Sequence, residues 1–166
     1  MTQTSFAGQP VNTTGELPAV GTALPAFSLT DRDLADVTEH DFEGKRLVLN
    51  IFPSIDTRVC AASVRRFNQL VASWPDTQVI CVSRDLPFAL DRFCAAEGID
   101  NLVVTSAFRS DFGTDFGVLM ADGPLRGLLA RAVVIADANG QVVYSRLSPE
   151  IRDEPDYDEA AAVVNR

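Results

Sequence analysis

Leu47-Val48-Leu49-Asn50-Ile51-Phe52-Pro53-Ser54-Ile55-Asp56-Thr57-Arg58-Val59-Cys60 is the stretch whose reading decides the fold. Its first six residues form a short, mostly apolar run bounded by Arg46 and Pro53, the pattern of a strand buried on both faces in the middle of a sheet. Pro53 ends that strand because it has no N–H to give to the ladder. From Val59 to Ala72 the period changes. Val59, Val64, Phe67, Leu70 and Val71 recur at approximately helical intervals, with Arg65, Arg66, Asn68 and Gln69 as the polar residues. A buried strand thus runs through a short loop into a helix, and Cys60 falls in the first turn of that helix.

The same alternation continues downstream. Thr77 to Val82, with Val79-Ile80-Cys81-Val82 at its centre, predicts a second buried strand. Pro87 to Glu97 predicts a helix that starts at proline, carries Cys94 and stops at Gly98. A strand is expected near Leu102 to Thr105, then an irregular segment through Phe112-Gly113 and Phe116-Gly117. Ala132 to Ile135 and Val142 to Tyr144 flank Asn139-Gly140 as a hairpin, and Tyr157 to Val164 forms a last short helix. Upstream, Gly8 to Leu24 reads as short β stretches broken by Gly15, Pro18 and Gly21, a hairpin decorating the front of the fold. Asp31 to Gly44 is polar and contains His40, to which no role is given.

Strands alternating with helices, then a hairpin and a helix, predict an α/β fold whose mixed sheet is covered by helices on both faces. With no repeat and no linker, residues 1–166 are expected to form one domain, with 1–24 as an N-terminal extension. The acidic group Asp153, Glu154, Asp156, Asp158 and Glu159 is expected to be a solvated face at a helix start.

A content of 46% hydrophobic and 22% charged residues is that of a folded globular chain. The net charge of -9 argues against nucleic acid and anionic lipid as partners. No apolar run reaches the roughly 18 to 20 residues of a membrane span, and Met1-Thr2-Gln3-Thr4 does not open a secretory leader, so a cytoplasmic location is expected. Three cysteines, at 60, 81 and 94, imply no disulfide framework. One histidine and no C-x-x-C pair disfavour a metal site.

Of the three thiols, Cys60 has the placement of a nucleophile. The unpaired N–H groups and dipole at a helix start favour the thiolate, which is the reactive form. Thr57 is placed to turn its hydroxyl toward the sulfur or a bound oxygen, Pro53 to shape and shield the loop, and Arg58 adds a cation. Spacing alone leaves Cys60 open between this and a small buried hydrophobe. Cys81, between Ile80 and Val82, reads as structural. Cys94 reads as packing, on a stripe with Phe88 and Leu90 or Asp91, unless another constraint gives it a partner.

Pro53-x-x-x-Thr57-x-x-Cys60 matches the active-site signature of the peroxiredoxins, and Asn50 to Thr57 resembles their bacterial thiol peroxidase branch. Cys81-Val82-Ser83-Arg84-Asp85-Leu86-Pro87-Phe88-Ala89, Arg92-Phe93-Cys94-Ala95-Ala96-Glu97-Gly98 and Gly127-Leu128-Leu129-Ala130-Arg131-Ala132-Val133 follow in that branch's order, so the similarity runs from about Gly15 to the final helix. The resemblance implies a thioredoxin-like fold with an N-terminal hairpin, and a homodimer whose disulfide forms within one chain. It implies a peroxidase of hydrogen peroxide and organic hydroperoxides, with Cys60 as the peroxidatic nucleophile and Cys94 as the resolving thiol. By the same resemblance Thr57 orients peroxide, Pro53 forms the loop and Arg131 is the cation near the thiolate. The implied cycle passes through a Cys60 sulfenic acid and a Cys60–Cys94 disulfide, is reset by thioredoxin or a similar dithiol, and needs no metal, haem or flavin. Arg58 departs from the pattern, since relatives commonly have proline there. Phe52, Phe88, Phe93 and Phe116 are expected as core aromatics, and residues 112–117 and the loop before Leu128 as candidates for the dimer surface.

Overall fold

A computed structural model describes residues 2–166. Met1, the first residue of the expected extension and of the start read as leaderless, lies outside the described residues. In chain order the elements are β1 (Gln3–Phe6), β2 (Gln9–Asn12), β3 (Ser28–Thr30), β4 (Asp36–Thr38), β5 (Arg46–Ile51), α1 (Arg58–Val71), β6 (Thr77–Ser83), α2 (Pro87–Glu97), β7 (Val103–Ser106), α3 (Phe112–Asp115), β8 (Ala132–Ala136), β9 (Val142–Leu147) and α4 (Tyr157–Val164). β1 and β2 pair as a separate hairpin, and the other seven strands form one sheet in the order β4-β3-β7-β6-β5-β8-β9. β5 lies parallel to β6 and β6 to β7, while β5 with β8 and β8 with β9 are antiparallel.

The apolar run of β5 is central because both its faces are covered. Val48 points into one cluster with Val79 and Cys81 of β6 and Val133 and Ile135 of β8. Leu47, Leu49 and Ile51 point into the other, with Ile80, Val82, Ala132 and Val134. This is the period-two alternation of a strand, repeated in register across three neighbours. The first face is covered by α1, α2 and α4, the second mainly by α3 and irregular chain around Phe27, Val118 and Leu129. Helices therefore lie on both faces, but unequally, with a single turn on the second.

α1 forms as its spacing predicts. Cys60, Val64, Phe67 and Val71 bury one stripe, and Phe67 meets Trp74 and Tyr157 edge-on at centroid separations of 6.3 and 5.4 Å. α2 opens on Pro87 and closes on Gly98, whose φ of 66° lets its N–H and that of Ile99 both reach the Cys94 carbonyl.

Four expectations need correction. The hairpin spans Gln3–Asn12, turning at Ala7-Gly8, so most of 8–24 is not strand. The segment expected to be irregular through Phe112-Gly113 and Phe116-Gly117 contains the helical turn α3, while polar Asp31 to Gly44 holds β4, which pairs with β3, each with three residues, too few to show a period. The seventh strand starts at Val103, not Leu102. Phe88 leaves the expected stripe of α2 and is 67% exposed, because Pro87, Leu90 and Cys94 at i, i+3 and i+7 take the inner face. The Phe112 and Phe116 rings stack at 4.1 Å inside the core, leaving Thr114 and Asp115 as the exposed residues of that segment. Among the described residues no helix is long and apolar enough to cross a membrane.

Phe67→Ala is expected to cost about 3 to 5 kcal/mol in urea unfolding, through lost burial plus the cavity left between α1, Trp74 and Tyr157. Val20→Ala, at a side chain 63% exposed, is expected to stay within about 0.5 kcal/mol of the parent.

Candidate active site

The connection from β5 to α1 builds the site. Phe52, Pro53 and Ile55 are buried, so the chain turns tightly against the core before Thr57 caps α1. Cys60 is the third residue of the helix, and its N–H is one of the first-turn donors that lack a helical partner. Thr57 Oγ1 accepts that N–H at 3.3 Å and donates its own hydrogen to the Ser54 carbonyl at 3.1 Å. The threonine hydroxyl thus forms part of the pocket wall, engaged with backbone on both sides and not with the sulfur.

Cys60 is completely buried, and its Sγ accepts a hydrogen bond of 3.2 Å from Nη2 of Arg131. Arg131, at the edge of β8, is itself only 1% exposed. Its Nε donates to the Ile151 carbonyl at 2.8 Å, and its Nη1 has no hydrogen-bond partner among the described residues. No carboxylate among them forms an ion pair with this guanidinium. A buried cation is strongly disfavoured unless an anion meets it, and the sulfur is the group in contact that can become one. The arrangement therefore sets a buried guanidinium directly against the Cys60 sulfur.

The sulfur lies at a pocket of about 150 Å3 lined by Pro53, Thr57, Arg58, Val59, Cys60, Arg131, Ile151 and Arg152, together with Phe6 and Leu125. Its walls are chiefly apolar. A larger hollow of about 500 Å3 between Phe27, Arg109 and Asp115 is open and contains no thiol. Arg58 stands exposed at the pocket rim.

Cys94 occupies the third turn of α2, buried in the same core cluster as Cys60, and the two are free thiols. Burial pushes the Cys94 thiol up, against the opposing pull of nearby Arg32, with Asp91 adding to the rise. Arg32 meets Asp91 at 2.8 Å over that face. Cys81 is buried in β6, and desolvation pushes it up to about 12, only partly offset by Asn50 Nδ2 at 3.7 Å. His40 is exposed and meets Glu43 at 3.1 Å. Phe52 belongs to the core beside Cys60, Phe93 is half-buried under Arg65, and Phe116 lies on the opposite face of the sheet.

The structure thus brings Pro53, Thr57, Cys60 and Arg131 to one pocket and places Cys94 in the adjoining core. Leu125 and Arg152 of the pocket wall were not expected from sequence, nor were Phe6, Ile151 and Asp85. Phe6 comes from the hairpin read as decoration, held by Ile151 N–H to the Ser5 carbonyl at 2.8 Å. Ile151 holds the Arg131 guanidinium through its carbonyl, a backbone group with no side-chain signature. Asp85 lies inside a quoted motif, but its contacts to Ser54 and Ile55 are tertiary.

Residues 19–161 match the Redoxin family. Over 165 residues the chain is 54% identical to a thiol peroxidase of Corynebacterium glutamicum, covering 99% of this chain and 100% of that one. Two solved structures superpose closely. A peroxiredoxin-like protein from Aquifex aeolicus gives a TM-score of 0.94 at 38% identity, covering 99% of this chain and 96% of that one. A thiol peroxidase from Chromobacterium violaceum gives 0.91 at 26% identity, covering 98% and 95%. The chain belongs to the redoxin family, in its thiol peroxidase branch.

Cys81, neutral well above its ordinary 9.0, is expected to resist iodoacetamide in the native protein at pH 8 and to react once urea unfolds the chain. Because the folded state holds that proton up to about 12 and the unfolded state releases it near 9.0, this contribution to stability is intact below pH 9 and declines above it. Urea midpoints between pH 8 and 11 should fall less steeply in Cys81→Ala than in the parent.

Proposed function

We propose that the chain reduces hydroperoxides with Cys60 as nucleophile and Cys94 as resolving thiol. The observation that carries this reading is the Arg131 guanidinium 3.2 Å from the Cys60 sulfur in a buried pocket. The Cys60 thiolate attacks one peroxide oxygen, the O–O bond breaks, and the electron pair leaves on the second oxygen, which takes a proton and departs as water or alcohol. Arg131 Nη1, free of protein partners, is suited to hold the peroxide and to stabilise the charge that develops on the leaving oxygen. Thr57 fixes the first turn of α1, so the sulfur faces the pocket before substrate arrives.

Cys60 is then a sulfenic acid. The Cys94 sulfur attacks it, an S–S bond forms, and the hydroxyl leaves as water. Both thiols are buried on separate helices, and in this reading at least one helix end opens locally to bring their Cβ atoms to the about 3.5 to 4.5 Å a disulfide needs and to admit the external dithiol. The same opening exposes Cys94 to water and removes the desolvation that holds it protonated. A thioredoxin-type dithiol restores both thiols. The apolar pocket walls support organic hydroperoxides as substrates beside hydrogen peroxide.

The hairpin works as part of the same unit, since Phe6 lines the pocket. A homodimer and a cytoplasmic setting complete this reading, supported by the likeness to the thiol peroxidases.

The test is hydroperoxide consumption coupled to thioredoxin, thioredoxin reductase and NADPH. Cys60→Ser should abolish turnover and all peroxide reaction. Cys94→Ser should lose the thioredoxin-linked cycle while still consuming one equivalent of peroxide. Full turnover by Cys94→Ser would instead identify a one-cysteine enzyme.

A further inference from the structure

The Asp85 carboxylate is half-buried and accepts three hydrogen bonds of 2.7 Å, from Ser54 Oγ, from the Ile55 N–H and from Ser83 Oγ. Ser54 and Ile55 belong to the loop that carries the Cys60 helix; Asp85 itself lies two residues before Pro87, the start of the Cys94 helix. Its backbone is anchored from behind, with Ser106 Oγ donating to the Asp85 carbonyl and the Ala107 N–H to the Ser83 carbonyl. The carboxylate therefore joins a fixed point on the sheet to the loop between β5 and α1.

A chain of contacts leads from there to the sulfur. Asp85 sets Ser54, the Ser54 carbonyl accepts both the N–H and the hydroxyl of Thr57 at 3.1 Å, and the Thr57 oxygen caps the Cys60 N–H. We propose that Asp85 is a positioning residue, a latch holding the Cys60 loop in its peroxide-reactive form and releasing it for disulfide formation. Charge-assisted hydrogen bonds suit this task, being strong together yet open to replacement by water once the loop lifts. The latch thus affects the two steps oppositely: closed, it speeds attack on peroxide; open, it speeds meeting with Cys94. This inference rests on the Cys60–Cys94 cycle proposed above.

The experiment separates those steps in the full-length protein. Stopped-flow consumption of stoichiometric hydrogen peroxide measures oxidation of Cys60, and quenched intact-mass analysis measures conversion of the sulfenic acid to the disulfide. Asp85→Asn keeps the size of the side chain but leaves one acceptor oxygen and turns an NH2 toward groups that donate. It should slow oxidation by about tenfold, the rate equivalent of about 1.4 kcal/mol, and should speed disulfide formation. Ser54→Ala, which removes one strand of the latch, should give the same split with smaller amplitude. Val79→Ala, a core truncation remote from the loop, serves as a control for general loss of stability.

Both steps slowed together in Asp85→Asn, neither step changed, or the same split in Val79→Ala would each overturn the latch while leaving the cycle intact. A parent protein that oxidises but forms no Cys60–Cys94 disulfide would overturn the cycle and the latch with it.

Discussion

A guanidinium that is 1% exposed and, among the described residues, forms no ion pair with a carboxylate is the constraint on which the rest of this structure turns. Isolating such a charge from water is tolerated only where something compensates for it. Here compensation comes from one backbone carbonyl and one sulfur. The consequence is chemical as well as structural, because the buried guanidinium and the Cys60 sulfur face each other at 3.2 Å across the wall of one small pocket.

Holding that geometry draws on distant parts of the chain. β8 places Arg131 beside β5, the Ile151 carbonyl orients its guanidinium, and the N-terminal hairpin fixes Ile151 through Ser5. From the other side, α1 presents Cys60 through the Thr57 cap, and its apolar stripe is locked by Phe67 against Trp74 and Tyr157. The pocket is small, walled mostly by apolar groups and rimmed by Arg58 and Arg152. Cys94 is a free thiol buried on another helix in the same core, where burial pushes its pKa up.

How much of this was legible in the sequence follows from where each signal resides. The strand of β5, the helix α1 with Cys60 in its first turn, and α2 between Pro87 and Gly98 were readable because long apolar patterns and strong terminators act locally. Thr57 and Pro53 were readable as part of a local motif. β3 and β4 were not, since three residues per strand cannot display a period and Val37 is the only buried residue of β4. Phe88 was misplaced because a helical stripe can be drawn through more than one set of positions until a neighbouring element chooses among them. Arg131 entered only through family resemblance, as its link to Cys60 spans the fold. Asp85 and the Ile151 carbonyl act through tertiary contacts that no spacing reveals.

The most direct measurement is the rate at which Cys60 is oxidised by stoichiometric hydroperoxide in Arg131→Met, followed by stopped flow alongside the parent, with urea unfolding to establish that the variant is folded. Removing one partner of a buried charge pair corresponds to about 3 kcal/mol or more, so the rate should fall by at least about a hundredfold. A folded variant reacting within about twofold of the parent, a difference of only about 0.4 kcal/mol, would contradict the view that the Arg131 guanidinium makes Cys60 reactive.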